Sequence, residues 1–202
     1  MIKIINYGLG NVKAFYNIYK SLGIECEICE SPESIQDAIK LILPGVGSFD
    51  WAMYKLNNSG MREILDKLVL EKKIPILGIC IGMQIMMEQS EEGKEKGLSW
   101  IKGNNLHLSI NNSNELKYPH MGWNNIEFND NFLFKNIVNP NFYFLHSYHV
   151  ELHNNCQAEA YAKYGKKFTC AFSNNDNIFG VQFHPEKSHS SGVKLLENFS
   201  NL

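Results

Sequence analysis

Residues 78–82 read Gly-Ile-Cys-Ile-Gly and stand where a buried-looking run, Pro75 to Ile79, gives way to helical sequence from Gly82 to Gln89. A cysteine at a sharp strand-to-helix turn, with a glycine two residues to either side, has the form of a nucleophile elbow. The turn holds the nucleophile in a strained conformation, and the glycines remove Cβ atoms that would clash there. At the start of a helix the positive end of the dipole also favours the thiolate. A buried structural thiol is the ordinary fate of a cysteine, and the paired glycines are what argue against it for Cys80.

A nucleophilic thiol needs a base, and the base needs a group to orient it. His184-Pro185-Glu186 closes the apolar run Ile178 to Phe183, and in an extended segment residues two apart point the same way, so one carboxylate can hold one imidazole. In that reading Cys80 attacks, His184 carries the proton, and Glu186 fixes the tautomer and stabilises the imidazolium. His107, His120, His146, His149, His153 and His189, taken singly, read as surface or satisfied core residues. An oxyanion hole needs N–H donors from the residue after the nucleophile and from a second backbone segment. Leu43-Pro44-Gly45-Val46-Gly47-Ser48 leaves a strand with two glycines and can supply the second, an ordinary strand–helix turn being the alternative. Asn6-Tyr7-Gly8-Leu9-Gly10-Asn11 raises a dinucleotide site, but the third glycine of that fingerprint would fall on Lys13. Cys26-Glu27-Ile28-Cys29 lies inside an expected strand with no second pair at zinc-like spacing, so it reads as core or edge cysteines. No metal and no cofactor is expected. Met83, Met86 and Met87 read as core filling beneath the elbow.

Such a site needs a sheet to hold it. Ile2 to Asn6 is a short β-rich run ending at Gly8 and Gly10, and Asn11 to Leu22 follows with apolar residues at 12, 15, 18, 19 and 22, a helical period. Glu25–Cys29, Leu41–Leu43 and Pro75–Cys80 are further strand-like runs, with helical sequence between the first two and again from Met61 to Glu71. This alternation predicts an α/β fold with a central, mainly parallel sheet flanked by helices, flavodoxin-like in kind. After about residue 97 come short strands separated by Asn-rich turns: Leu98–Ile101, Asn105–Ser109, Asn124–Phe128, Phe142–Leu145, Glu159–Tyr164, Phe168–Phe172 and Ile178–Phe183. These read as antiparallel additions, with a turn at Asn111–Asn114 and a closing helix from Gly192 to Phe199.

At 202 residues, with 44% hydrophobic, 20% charged and 12% aromatic residues, the chain has the usage of a single folded domain over 1–202, not of a disordered or coiled-coil protein. A net charge of −2, with Lys and Glu scattered, leaves no basic stripe for nucleic-acid phosphates. The longest apolar run, Ile74 to Met87, is interrupted by Pro75, Gly78, Gly82 and Gln84 and falls short of the ~20 residues of a membrane helix. No secretory pattern opens the sequence, and the five cysteines, at 26, 29, 80, 156 and 170, lack framework spacing, so reduced thiols and a cytoplasmic location are expected.

The chain resembles the class I glutamine amidotransferases and, within them, the glutaminase subunits of imidazole glycerol phosphate synthases, over nearly its whole length. The elbow Gly78–Gly82 with Met83-Gln84, and His184-Pro185-Glu186, are shared across the class. More particular to those subunits are Asn6–Asn11, Leu43–Gly47, Ser90-Glu91-Glu92-Gly93, Pro119-His120-Met121-Gly122-Trp123-Asn124 and His184-Pro185-Glu186-Lys187-Ser188. The resemblance implies hydrolysis of L-glutamine by Cys80 through a γ-glutamyl thioester, with His184 protonating the leaving ammonia and then activating water. It implies an oxyanion hole from the Ile81 N–H and Gly45-Val46-Gly47, and glutamine bound near Gln84, Ser147 and Tyr148. It also implies a heterodimer with a (β/α)8-barrel cyclase subunit, docked through Trp123, Asn124 and Lys187. That subunit would use the ammonia to make imidazole glycerol phosphate and an aminoimidazole carboxamide ribonucleotide in histidine synthesis. Asn6 stands where many members have an acid, Ala14 where they have Ser, and Ser99-Trp100 where they have Gly-Trp. Relatives that feed ammonia to a partner aminating a sugar for surface polysaccharide or glycan synthesis keep the same elbow and Met-Gly-Trp-Asn segment, and define the alternative. A partner-free thiol hydrolase of the γ-glutamyl peptidase kind and a silent scaffold for a barrel partner are the remaining readings.

Overall fold

The apolar runs that alternate with helical sequence become strands, buried on both faces in the middle of the sheet and partly buried at its edge, as a parallel sheet covered by helices requires. In the computed structural model, which describes residues 1–108, 116–129, 131–153 and 156–202, the chain runs β1 (Ile2–Ile5), α1 (Val12–Ser21), β2 (Cys26–Cys29), β3 (Lys40–Leu43), α2 (Phe49–Asn58), α3 (Arg62–Asp66), β4 (Ile76–Ile79) and α4 (Ile81–Gln84). It continues through β5 (Gln89–Ser90), β6 (Gly103–His107), β7 (His120–Phe128), β8 (Asn141–His146), β9 (Tyr148–Leu152), β10 (Gln157–Tyr164), β11 (Lys166–Ser173) and β12 (Ile178–Val181) to α5 (His189–Ser200). The expected Asn111–Asn114 turn, and Ser109 at the end of an expected strand, lie outside the described residues.

Strands β2-β1-β3-β4-β12 form the parallel part of the sheet, and β11, β10, β7 and β8 extend it antiparallel from β12. β9 branches from β11 and carries β6, to which β5 pairs. The period of two along the strands sorts the core into two faces. Ile4, Ile42, Leu77 and Ile79 face α1 and α5 through Phe15, Tyr19, Leu196 and Phe199. Ile5, Leu41, Leu43 and Ile76 face α2 and the residues after it through Phe49, Met53, Leu56 and Leu65. Each fully buried Phe or Leu of this kind contributes about 1.5–3 kcal/mol.

Several elements differ from expectation. Residues 30–39 hold only a 3-10 turn, Glu33–Ile35, because Ser34 bonds to the Ser31 backbone at both its N–H and C=O and competes with a helix. The α2 helix, not expected from the sequence, buries Phe49, Ala52, Met53 and Leu56 at i, i+3, i+4 and i+7. The Met61–Glu71 stretch is α-helical only to Asp66 and widens into a π turn over Lys67–Glu71. The helix expected over Gly82–Gln89 stops at Gln84, and Leu98–Ile101 is not a strand; one cause serves both. The carbonyls of Ile85, Met86 and Met87 accept from the N–H groups of Leu98, Ile101 and Ser99, so the helix and the expected strand give up their own ladders to bond each other. The β9 strand was also not expected.

Close approach of β3 to α4 leaves no room at Gly82, where an added Cβ would run into the Leu43 carbonyl. Gly82→Ala is expected to lower stability by about 1–3 kcal/mol, read from urea denaturation midpoints at unchanged m-value; a wild-type midpoint would show that the two segments can separate freely.

Candidate active site

Cys80 sits between β4 and α4 with φ 54° and ψ −112°, a conformation that costs a side-chain-bearing residue about 1–3 kcal/mol. Its backbone is tied down on both sides: the N–H donates to the Val181 carbonyl at 2.9 Å, and its own carbonyl accepts from Met83 and Gln84, both at 3.1 Å. Gly78 is also confined, though less than Gly82, since its Cβ would meet the Gly82 carbonyl and the Met86 side chain, each at 2.7 Å. Met83, Met86 and Met87 are fully buried beneath the turn. The helix following Cys80 is a single turn, so the macrodipole expected there is small. What the turn still offers is the free N–H of its first residues, Ile81 among them.

His184 follows β12, the strand paired with β4, which brings it beside Cys80 across the sheet. Its Nδ1 lies 3.0 Å from Glu186 Oε1, with both side chains 3% exposed. The contact does not arise from an extended segment as the spacing suggested. Pro185–Lys187 is a 3-10 turn with His184 at its cap, and the turn folds Glu186 back onto the ring. The His184 N–H and C=O are held by Tyr143 and by the Ser188 hydroxyl. Burial alone lowers the imidazole pKa, but the nearby charge of Cys80, followed by the hydrogen bond and charge of Glu186, outweighs it and raises it to about 10. Negative charge at Cys80 and at Glu186 thus favours the protonated form of the ring between them.

The thiol opens onto a cleft lined by Val46, Gly47, Cys80, Ile81, Gln84, Ser147, Tyr148 and His184, so eight of the residues expected at the site converge there. Gly45 lies just behind it: its Cβ position is 2.6 Å from the Tyr7 hydroxyl and 3.1 Å from the Gly82 nitrogen. Gly10 packs on Pro44 and Gly45 in turn, so the Asn6–Asn11 loop supports the 45–47 segment. Glu186 stands behind His184, away from the cleft. Trp123, Asn124 and Lys187 lie elsewhere: Trp123 is 47% exposed and stacks on His189 at 4.8 Å, and the Lys187 ammonium lies over the Tyr143 ring at 5.5 Å.

Four further residues belong to this surrounding. Gln182 is fully buried, with Nε2 3.7 Å from the Cys80 sulfur and Oε1 accepting from Gln84 Nε2 at 2.9 Å; its place two residues before His184 was the available signal. Gln84 Oε1 is buried without a protein partner, an acceptor free for a ligand. Tyr7 carries a buried, unpartnered hydroxyl whose pKa is raised by burial and then by the Cys80 charge. Glu92 lines the cleft and accepts from the Phe49 N–H at 2.8 Å, capping α2 from outside, while Asp50 accepts from the N–H groups of Lys94 and Glu95. These bonds stitch the Ser90–Gly93 segment to the helix beside the cleft. His146 also lines it. A cysteine sulfur and an imidazole that both line an open cleft, at the start of a helix and beside a glycine-rich segment, can attack a carbonyl carbon and protonate the leaving group.

The family model for glutamine amidotransferase class-I matches residues 3–201, and the chain belongs to that family. It is 50% identical to "Imidazole glycerol phosphate synthase subunit HisH" of Leptospira interrogans and 48% identical to the protein of that name from Bdellovibrio bacteriovorus, each over the full length of both chains. It is 40% identical, again over all of both chains, to "Imidazole glycerol phosphate synthase subunit HisH 2" of Pseudomonas aeruginosa. A crystal structure of a glutamine amidotransferase superposes with a TM-score of 0.77 at 15% identity, covering 100% of this chain and 99% of the other, a likeness of fold. Among the described residues no helix is long and apolar enough to cross a membrane.

In Cys80→Ala the contribution of the sulfur is gone and burial of the imidazole is opposed by Glu186 alone. The His184 pKa is expected to fall from about 10, as read by histidine NMR titration of the folded variant; an unchanged value would assign the whole shift to Glu186.

Proposed function

We propose that this chain is the glutaminase subunit of an imidazole glycerol phosphate synthase, one amidotransferase domain over 1–202 acting in the cytoplasm. The Cys80 thiolate attacks the γ-carboxamide carbon of L-glutamine, and the oxyanion is met by N–H groups of Ile81 and of Gly45-Val46-Gly47. The C–N bond breaks as His184 passes its proton to the departing ammonia, leaving a γ-glutamyl thioester on Cys80. Water, deprotonated by His184, attacks the thioester, and glutamate and the thiolate are released. Glu186 keeps the ring in the tautomer that presents Nε2 to the sulfur. Gln84, Ser147 and Tyr148 border the bound amino acid, and the carboxylate of Glu92 is the complement for its α-ammonium group.

One observation carries this reading: a cysteine locked in a positive-φ elbow beside a buried His184–Glu186 pair, at the floor of a cleft lined by amide and backbone polar groups. The naming of full-length relatives at 40–50% identity supports the pathway. A (β/α)8 cyclase subunit is the partner proposed to receive the ammonia. The outer face of β7 supports a docking surface there, with Met121 at 65% and Trp123 at 47% exposure on the same strand.

The test is glutamine hydrolysis by the purified chain, alone and with the cyclase of the histidine pathway and its ribonucleotide ligand. Hydrolysis is expected to rise sharply with both present, to vanish in Cys80→Ala, and to lose its coupling to the cyclase product in Trp123→Ala. Turnover retained in Cys80→Ala would overturn the chemistry. A cyclase that neither binds nor activates the chain would leave the glutaminase and redirect the ammonia to a sugar-aminating partner.

A further inference from the structure

Two buried histidines beside the cleft take no part in the reaction described. His120 and His146 are 3% and 5% exposed, on neighbouring strands β7 and β8 at paired positions. His120 Nδ1 lies 3.0 Å from His146 Nε2, His146 Nδ1 lies 2.8 Å from the Tyr148 carbonyl oxygen, and Asn124 Nδ2 lies 3.3 Å from His120 Nε2. Each of these contacts could run in either direction for an isolated ring, because a neutral imidazole has one donor and one acceptor nitrogen. The two ends remove that freedom. Tyr148 C=O can only accept, so His146 is protonated at Nδ1 and accepts at Nε2; His120 must then donate from Nδ1 and accept at Nε2. At the other end the same Asn124 nitrogen donates to the Lys163 carbonyl at 2.9 Å, which fixes the amide orientation and leaves its second N–H for His120. Burial holds both rings neutral: it lowers His120 to about 4 and His146 to about 3. The faces of His120 are covered by Phe144 and Tyr164, with ring centroids at 4.8 and 4.2 Å.

The chain ends inside the glutamine pocket. The Tyr148 carbonyl that accepts from His146 also accepts from Gln84 Nε2 at 3.1 Å, and Gln84 bonds Gln182, the residue touching the Cys80 sulfur. We infer that Asn124, His120 and His146 form a one-directional hydrogen-bond relay that positions the Tyr148 carbonyl and, through it, the Gln84 amide for glutamine. They are positioning residues. This deepens the glutaminase reading and rests on it for the identity of the ligand. It also gives Asn124 a role inside the molecule, since both its amide hydrogens are spent there.

Nitrogen NMR of the full chain at neutral pH reads the tautomers directly: His120 and His146 are both expected to be neutral and protonated at Nδ1, the less common form of a free imidazole. Either ring protonated at Nε2, or doubly protonated, overturns the relay whatever the chain hydrolyses. Asn124→Asp keeps the shape but cannot donate an N–H, so His120 is expected to become doubly protonated in order to keep its bond to His146. The KM for glutamine is expected to rise about five- to tenfold, the effect of misaligning one hydrogen-bonding group, with a smaller change in kcat. A folded Asn124→Asp chain with unmodified KM and a neutral His120 also overturns it. Absence of glutamine hydrolysis in the unmodified chain would instead strike the glutaminase reading, and the tautomers would still decide the relay.

Discussion

At Cys80 the backbone takes a positive φ that a residue with a Cβ adopts only under constraint, and its neighbours leave it little alternative. The N–H is held by β12, the carbonyl by the first turn of α4, and the glycines on either side are fixed by carbonyls and a methionine methyl where side chains would otherwise stand. The parallel pairing of β4 with both β3 and β12 follows the same geometry: β3 delivers the 45–47 segment to one side of the thiol, and β12 delivers Gln182 and His184 to the other. Elbow, glycine segment and imidazole are thus three consequences of adjacent strand ends at the carboxyl edge of one sheet, where open α/β sheets hold their ligands.

The polar groups around the thiol are buried, and most of them are paired. Gln84, Gln182, His120 and His146 bond to one another or to backbone, and His184 bonds to Glu186, while Tyr7 Oη, Gln84 Oε1, His184 Nε2 and Glu186 Oε2 have no hydrogen-bond partner in the protein. Two of the unpaired atoms, Gln84 Oε1 and His184 Nε2, belong to side chains that line the cleft. An orphaned buried polar atom is costly to keep.

The elbow was legible in the sequence because its chemistry needs particular residues at adjacent positions, and the parallel half of the sheet was legible because strands buried on both faces read as continuous apolar runs. What escaped was set by distant partners. The truncation of α4 depends on N–H groups from residues 98–101, which no local pattern reveals. The α2 helix does carry an i, i+3, i+4, i+7 apolar period in the sequence, at 49, 52, 53 and 56. The His184–Glu186 spacing suggests an extended geometry, whereas a 3-10 turn makes the contact. Gln182, Tyr7 and the His120–His146 pair become visible only when β12, β7 and β8 are placed beside the elbow, because a buried amide, phenol or imidazole carries no signal until its neighbours are known.

Five thiols are present, and burial pushes four of them, Cys26, Cys29, Cys156 and Cys170, above the usual cysteine range. Cys80 alone faces a cleft beside an imidazole that its charge raises. The most direct test is therefore to expose the chain at neutral pH to a glutamine analogue bearing an electrophilic ketone in place of the γ-carboxamide, and to locate the adduct by peptide mass mapping. The account predicts one addition per chain, on Cys80, suppressed by excess glutamine. Modification spread over the other cysteines, or an intact Cys80, would contradict it.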